Sequence, residues 1–338
     1  MPEAAVAAAL FADDVPLFAR LDGTIQRAAA PLRVHSALLA AAPVPDGAAL
    51  LTCGEDGRVC RTDGEGAPAE LAAVPRKWIS LVAGGRGGAI AYAVGRSVWI
   101  RWAGGAQDAL EHDRNVSAIA FCAAGNRVAV ARFGGVAIHP ADGALPLELE
   151  WKGAFAGLTF SPDDRFLLAF MQDGLLHGWR LSDRKHFRMT GYSARVRDWS
   201  WSADGRWLAT SGASAAVVWR FEGPDGPMGS AALKVGAARE GALVTAVACH
   251  PRRGELAIGY SDGAVLVASI QDEEERLLRA GGDGAVTSVA WHNGGARIAF
   301  GTAQGACGVL EGPATTGERD GQDGGEGVSR ARAAGAGG

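Results

Sequence analysis

Residues 195–221, RVRDWSWSADGRWLATSGASAAVVWRF, fall into three short runs in which apolar and polar positions are separated by small-residue turns. Val196, Trp199 and Trp201 are apolar with polar residues between them, the pattern of a strand with one inward face. Ser202-Ala203-Asp204-Gly205 predicts a turn, because Asp bonds its own backbone and Gly accepts positive φ. Trp207 to Thr210 predicts a second strand, Gly212 to Ala215 a second turn, and Ala216 to Trp219 a third strand. Three short antiparallel strands cannot bury their faces alone, so the unit needs neighbours of its own kind.

The chain supplies them. Anchoring the unit on the apolar residue six places after the turn's first residue gives Leu50, Ile90, Val128, Leu167, Leu208, Leu256 and Ile298. The spacings are 40, 38, 39, 41, 48 and 42 residues. A near-constant period of about 40–45 residues is what a four-stranded propeller blade requires. The expected fold is therefore all-β, a seven-bladed β-propeller of four-stranded antiparallel blades.

Three segments lie outside the seven copies or interrupt them. Residues 1–16 read as a flexible N-terminal arm. The segment 16–29, PLFARLDGTIQRAA, alternates as a strand would. The last copy, 285–312, supplies only three strands, so this N-terminal strand is expected to close the ring by adding the fourth. The propeller then spans 17–312. In the copy at 77–112, Ser97 to Trp102 is expected to be the outer strand. Glu222 to Ser230, EGPDGPMGS, predicts a surface loop between third and fourth strands, and 313–338 has too little apolar content to fold and is expected to be disordered.

The stretches Phe155 to Ala169, Val196 to Ala209 and Val286 to Ala299 resemble the repeats of the WD40 family. Asp-Gly turns at Asp56-Gly57, Asp173-Gly174 and Asp262-Gly263 match the same pattern, over residues 30–312 in all. The departures are specific. No copy carries a Trp-Asp pair, and Trp179 and Trp219, which stand where that Trp belongs, are each followed by Arg. The resemblance implies a propeller that presents loops to other proteins.

Composition narrows the function classes. The formal net charge is −4 with a pI near 6.0, so there is no basic footprint for nucleic acid. No apolar run reaches the ~18 residues of a membrane span, and the N-terminus lacks the basic region of a signal peptide. The five cysteines include no C-x-x-C, which points to reduced thiols and a cytoplasmic setting. No Walker loop, G-x-S-x-G, H-E-x-x-H or EF-hand loop is present, so the chain reads as no enzyme and needs no cofactor. His250 and His292 occupy the same turn slot in adjacent copies, beside Cys249, and Cys122 fills that slot at 122. Thiol and imidazole are zinc ligands, but Ser fills the slot elsewhere, so a turn-capping role is the expected one.

A propeller's working face lies where first strands begin. The candidate partner-binding residues there are Lys77, Trp78, Asn115, Tyr192, Arg195, Arg197 and Asp198. Trp, Tyr and Arg dominate binding hot spots. The expected function is a monomeric, non-catalytic scaffold for one or more proteins. The alternatives are an accessory protein in zinc homeostasis working with a GTPase-type metal chaperone, which the resemblance suggests, and a small-ligand or enzymatic propeller. Against the last, channel-side positions are mostly Ala, Ser, Gly and Val.

Overall fold

The computed structural model of the chain describes residues 3–27, 30–45, 47 and 49–313. The expectation of disorder for the tail falls, from 314 onward, outside the described residues. Short alternating runs punctuated by glycines at positive φ fold into eight antiparallel sheets, each built from consecutive strands.

Blade 1 holds β1 (Val6–Ala12), β2 (Val15–Arg20), β3 (Thr24–Gln26) and β4 (Leu32–Arg33). Blade 2 holds β5 (Leu38–Pro43), β6 (Leu50–Gly54), β7 (Arg58–Thr62) and β8 (Ala69–Ala73). Blade 3 holds β9 (Leu81–Gly84), β10 (Ile90–Val94), β11 (Ser97–Arg101) and β12 (Gln107–Glu111). Blade 4 holds β13 (Val116–Phe121), β14 (Arg127–Arg132), β15 (Gly135–Pro140) and β16 (Leu147–Glu150). Blade 5 holds β17 (Phe155–Phe160), β18 (Phe166–Met171), β19 (Leu176–Arg180) and β20 (His186–Met189). Blade 6 holds β21 (Trp199–Trp201), β22 (Trp207–Thr210), β23 (Ala216–Arg220) and β24 (Leu233–Val235). Blade 7 holds β25 (Val244–Cys249), β26 (Glu255–Tyr260), β27 (Val265–Ser269) and β28 (Glu275–Arg279). Blade 8 holds β29 (Val286–Trp291), β30 (Arg297–Thr302) and β31 (Cys307–Glu311).

The propeller thus has eight blades, not seven. The seven anchors all lie on second strands and are buried. The blade missed is the first. Its opening hairpin turns on two residues, Asp13 and Asp14, with Asp13 at φ 52°, whereas the matching turn of blade 5 takes five, 161–165. A search keyed to the longer turn passes over it. The expected arm at 1–16 instead contains β1, with Val6, Phe11 and Ala12 buried, and the segment 16–29 forms β2 and β3 of this blade. It does not complete the last blade, whose outermost described strand is β31. Ser97 to Arg101 is a third strand, with β12 outside it.

First strands meet round a ring: β1 touches β5 and β29, β5 touches β9, β9 touches β13, β13 touches β17, β21 touches β25, and β25 touches β29. Between blades 5 and 6 the contact is made by side chains. The Trp199 ring stacks on Phe170 at 3.8 Å, and Trp201 Nε1 donates to Thr159 Oγ1 at 3.0 Å. Blade 1 follows blade 8 as blade 8 follows blade 7. Thr287 Oγ1 donates to Val6 O at 2.6 Å, as Thr245 Oγ1 donates to Val286 O at 2.6 Å. Gly301 on β30 gives room to Val6 just as Gly259 on β26 gives room to Val286; a methyl at either would overlap the valine. The core therefore lies between blades, where neighbouring sheets bury alternate residues against each other.

Candidate functional site

The connections from fourth to first strands and the turns between second and third strands share one end of the ring. All seven sequence-selected residues lie in or beside these connections. Five point to solvent and two do not.

Trp78 is 64% exposed. The loop that carries it is pinned on both sides: Val74 N donates to Gly57 O at 2.7 Å and Ile79 N to Gly54 O at 3.3 Å, while the Ile79 side chain is fully buried. The indole thus stands on a fixed backbone. Lys77 beside it is exposed. Asn115 is exposed in the link into blade 4, where Val116 N donates to Gly95 O at 2.8 Å. Arg195 and Arg197 are exposed, and among the described residues neither is held in an ion pair.

Tyr192 is committed internally. Its hydroxyl accepts from Trp219 Nε1 at 2.7 Å and lies 2.9 Å from Thr210 Oγ1. Burial pushes the phenol up to about 12. Asp198 is half-buried and turned inward. It does not pair with Arg197. Its carboxylate accepts from Val247 N at 2.8 Å and Trp199 N at 3.0 Å, tying blade 6 to blade 7. Burial raises its pKa to about 7 against the pull of those two donors. A comparable framework sits in blade 2, where His35 Nε2 lies 2.9 Å from Thr52 Oγ1 and Nδ1 lies 3.0 Å from Asp56.

Sequence reasoning missed Phe133, Leu21 and Leu175. They are 50%, 49% and 37% exposed on the second-to-third-strand turns of the same end. The Arg114 guanidinium lies 5.6 Å above the Phe133 ring. The signal was a large apolar residue set inside a turn, as in Phe133-Gly134.

The two turn histidines lie at the opposite end and are occupied by the protein itself. His250 Nδ1 accepts from Arg252 N at 3.0 Å and Arg253 N at 2.9 Å, so the proton sits on Nε2, 3.1 Å from Gly295 O. Burial pulls it down to about 4. His292 Nδ1 accepts from Gly294 N, and its Nε2 meets Asp14 at 2.7 Å. Cys249 Sγ donates to Ser200 O, and burial pushes its thiol up to about 12. Each polar atom caps a turn or joins blades, and among the described residues no three His, Cys, Asp or Glu side chains are grouped as metal ligands.

Residues 184–220, from the end of blade 5 through the third strand of blade 6, match the family model described as WD domain, G-beta repeat. No curated protein matches the chain.

Proposed function

We propose that this WD40-type propeller is a non-catalytic platform that binds another protein at the end bearing Trp78. The observation that carries the reading is the exposed indole on a hydrogen-bonded loop, because large aromatics on rigid supports make binding anchors. Around the same end the exposed cations Lys77, Arg195 and Arg197 favour a partner surface carrying carboxylates. Asn115 and the Phe133–Arg114 stack add polar and apolar contact area. Tyr192 and Asp198 act behind this face, fixing the loops that carry Arg195 and Arg197.

The test is affinity capture from native cells with the wild type, Trp78→Ala and Arg197→Ala, read by mass spectrometry. Each variant should lose a reproducible wild-type partner while melting within a degree or two of wild type, since both side chains are exposed. Equal capture by all three proteins would reject this end as the working face.

A further inference from the structure

Blade 8 differs from the other seven at its rim. Its outermost described strand is the third, β31, whose counterparts in blades 1–7 are all covered by a fourth strand. Those seven fourth strands carry charge along their exposed edges, with Arg33, Glu70, Asp108, Glu148, Arg188, Lys234 and Arg276 among them. Charged rims block edge-to-edge pairing. The strand β31, Cys-Gly-Val-Leu-Glu, has one charge, at its last residue, and neither Lys nor Pro. Val309 at its centre is 37% exposed. On the next rim Leu277 of β28 is 50% exposed, and Leu278 packs with Leu310 in the blade 7–8 core.

We infer that β31 pairs antiparallel with β31 of a second copy, about a twofold axis through Val309, so that the two eighth blades form one continuous sheet. The strand is complementary to its own reverse. With Val309 opposite Val309, Leu310 falls opposite Gly308, large beside small. The Phe300 ring lies under Gly308, where any side chain would press on it, and gives the second copy's Leu310 an apolar floor. Glu311 falls opposite Cys307, and Arg20 Nη2 lies 3.7 Å from the Cys307 sulfur. That guanidinium already pairs with Glu3 at 2.9 Å, so the strand's one acidic side chain arrives at the edge of an existing ion pair. Such a contact is isologous and closes at two copies. The sequence after Glu311, over 312–326, is rich in Gly, Asp and Glu, which strands disfavour.

The test uses the full chain. Sedimentation and light scattering from about 1 to 100 μM, the range expected of a modest interface, should show a mass of two copies at the upper end. Val309→Lys sets like charges face to face across the axis and should halve the mass, with the melting temperature of the dilute protein unchanged. Val309→Cys should form a disulfide-linked dimer on mild oxidation, because directly opposed antiparallel residues lie about 4.5–5.5 Å apart at Cα, within disulfide reach. Wild type and Lys234→Cys, on the rim of blade 6, should not. A single-copy mass throughout, a dimer unaffected by Val309→Lys, or a dimeric Val309→Cys protein that fails to cross-link would each overturn the inference. A single-copy mass would also be the result if residues 314–338 covered the edge.

Discussion

His177 on β19 sits at odds with its surroundings. It is 1% exposed, its ring stacks on Trp151 at 3.7 Å, and neither ring nitrogen has a hydrogen-bond partner. Burial, reinforced by His186 and Arg188, depresses its pKa to about 3. An unfolded histidine titrates near 6.5. The folded protein thus refuses a proton that the unfolded chain takes up, so the titration itself costs nothing above about pH 6.5 and progressively more as pH falls towards 3, on top of the pH-independent cost of the two unpartnered nitrogens. His177→Phe keeps the stack and removes two unsatisfied nitrogens. It should stabilise the protein by about 1 kcal/mol at pH 7, and its melting temperature should fall less than that of wild type between pH 7 and pH 4. Asp198 carries the opposite sign. Its folded pKa of about 7 lies above the unfolded value near 3.9, so the folded state holds the extra proton and stability declines as pH rises from 4 to 7. Asp198→Asn stays neutral throughout, and melts across that range should show the decline flattened.

At the scale of strands and turns, what was legible depended on whether the signal was local. The Asp-Gly turns at Asp56, Asp173 and Asp262 could be read because each carboxylate accepts the N–H two residues on, a bond written into the dipeptide. Asp22-Gly23 carries the same signal, with Asp22 Oδ1 accepting from Thr24 N at 2.9 Å, and it marks blade 1. The short hairpin at Asp13-Asp14 broke the longer pattern that would have joined the two. The Pro75-Arg76-Lys77 entry left Trp78 open between exposure and packing between blades, and the fate of Tyr192 depended on Thr210 and Trp219, which only cross-strand register brings to its hydroxyl. The seam between blades 8 and 1 was equally hidden, since Gly301 reads as an ordinary strand glycine until Val6 arrives against it. Gly301→Ala should force Val6 aside and destabilise the protein by about 1–3 kcal/mol, as overpacking does. Gly259→Ala, at the matching position of the seam between blades 7 and 8, should cost a similar amount in the same denaturant titration.

Blade 1 is a full member of the ring, and that makes the order of the whole molecule testable at the N-terminus. Were residues 1–16 a loose arm, a chain starting at residue 17 would lose nothing. In the structure that truncation deletes β1, the innermost strand of blade 1. It removes the partner of β2, strips Phe18 of the Val6, Ala9 and Phe11 side chains it clusters with, and opens β29 on the side where Thr287 and Ser288 now bond the backbone of Val6 and Ala9. A closed ring cannot share this loss, because blade-to-blade packing on either side is already set by full sheets. The shortened chain should therefore elute as aggregate or be cut rapidly by trypsin within 18–33, with its melting temperature lowered by well over 10 °C if any cooperative transition survives. A soluble product that melts within a degree or two of the full chain would show that the ring closes without β1, and the eight-bladed arrangement would fall with it.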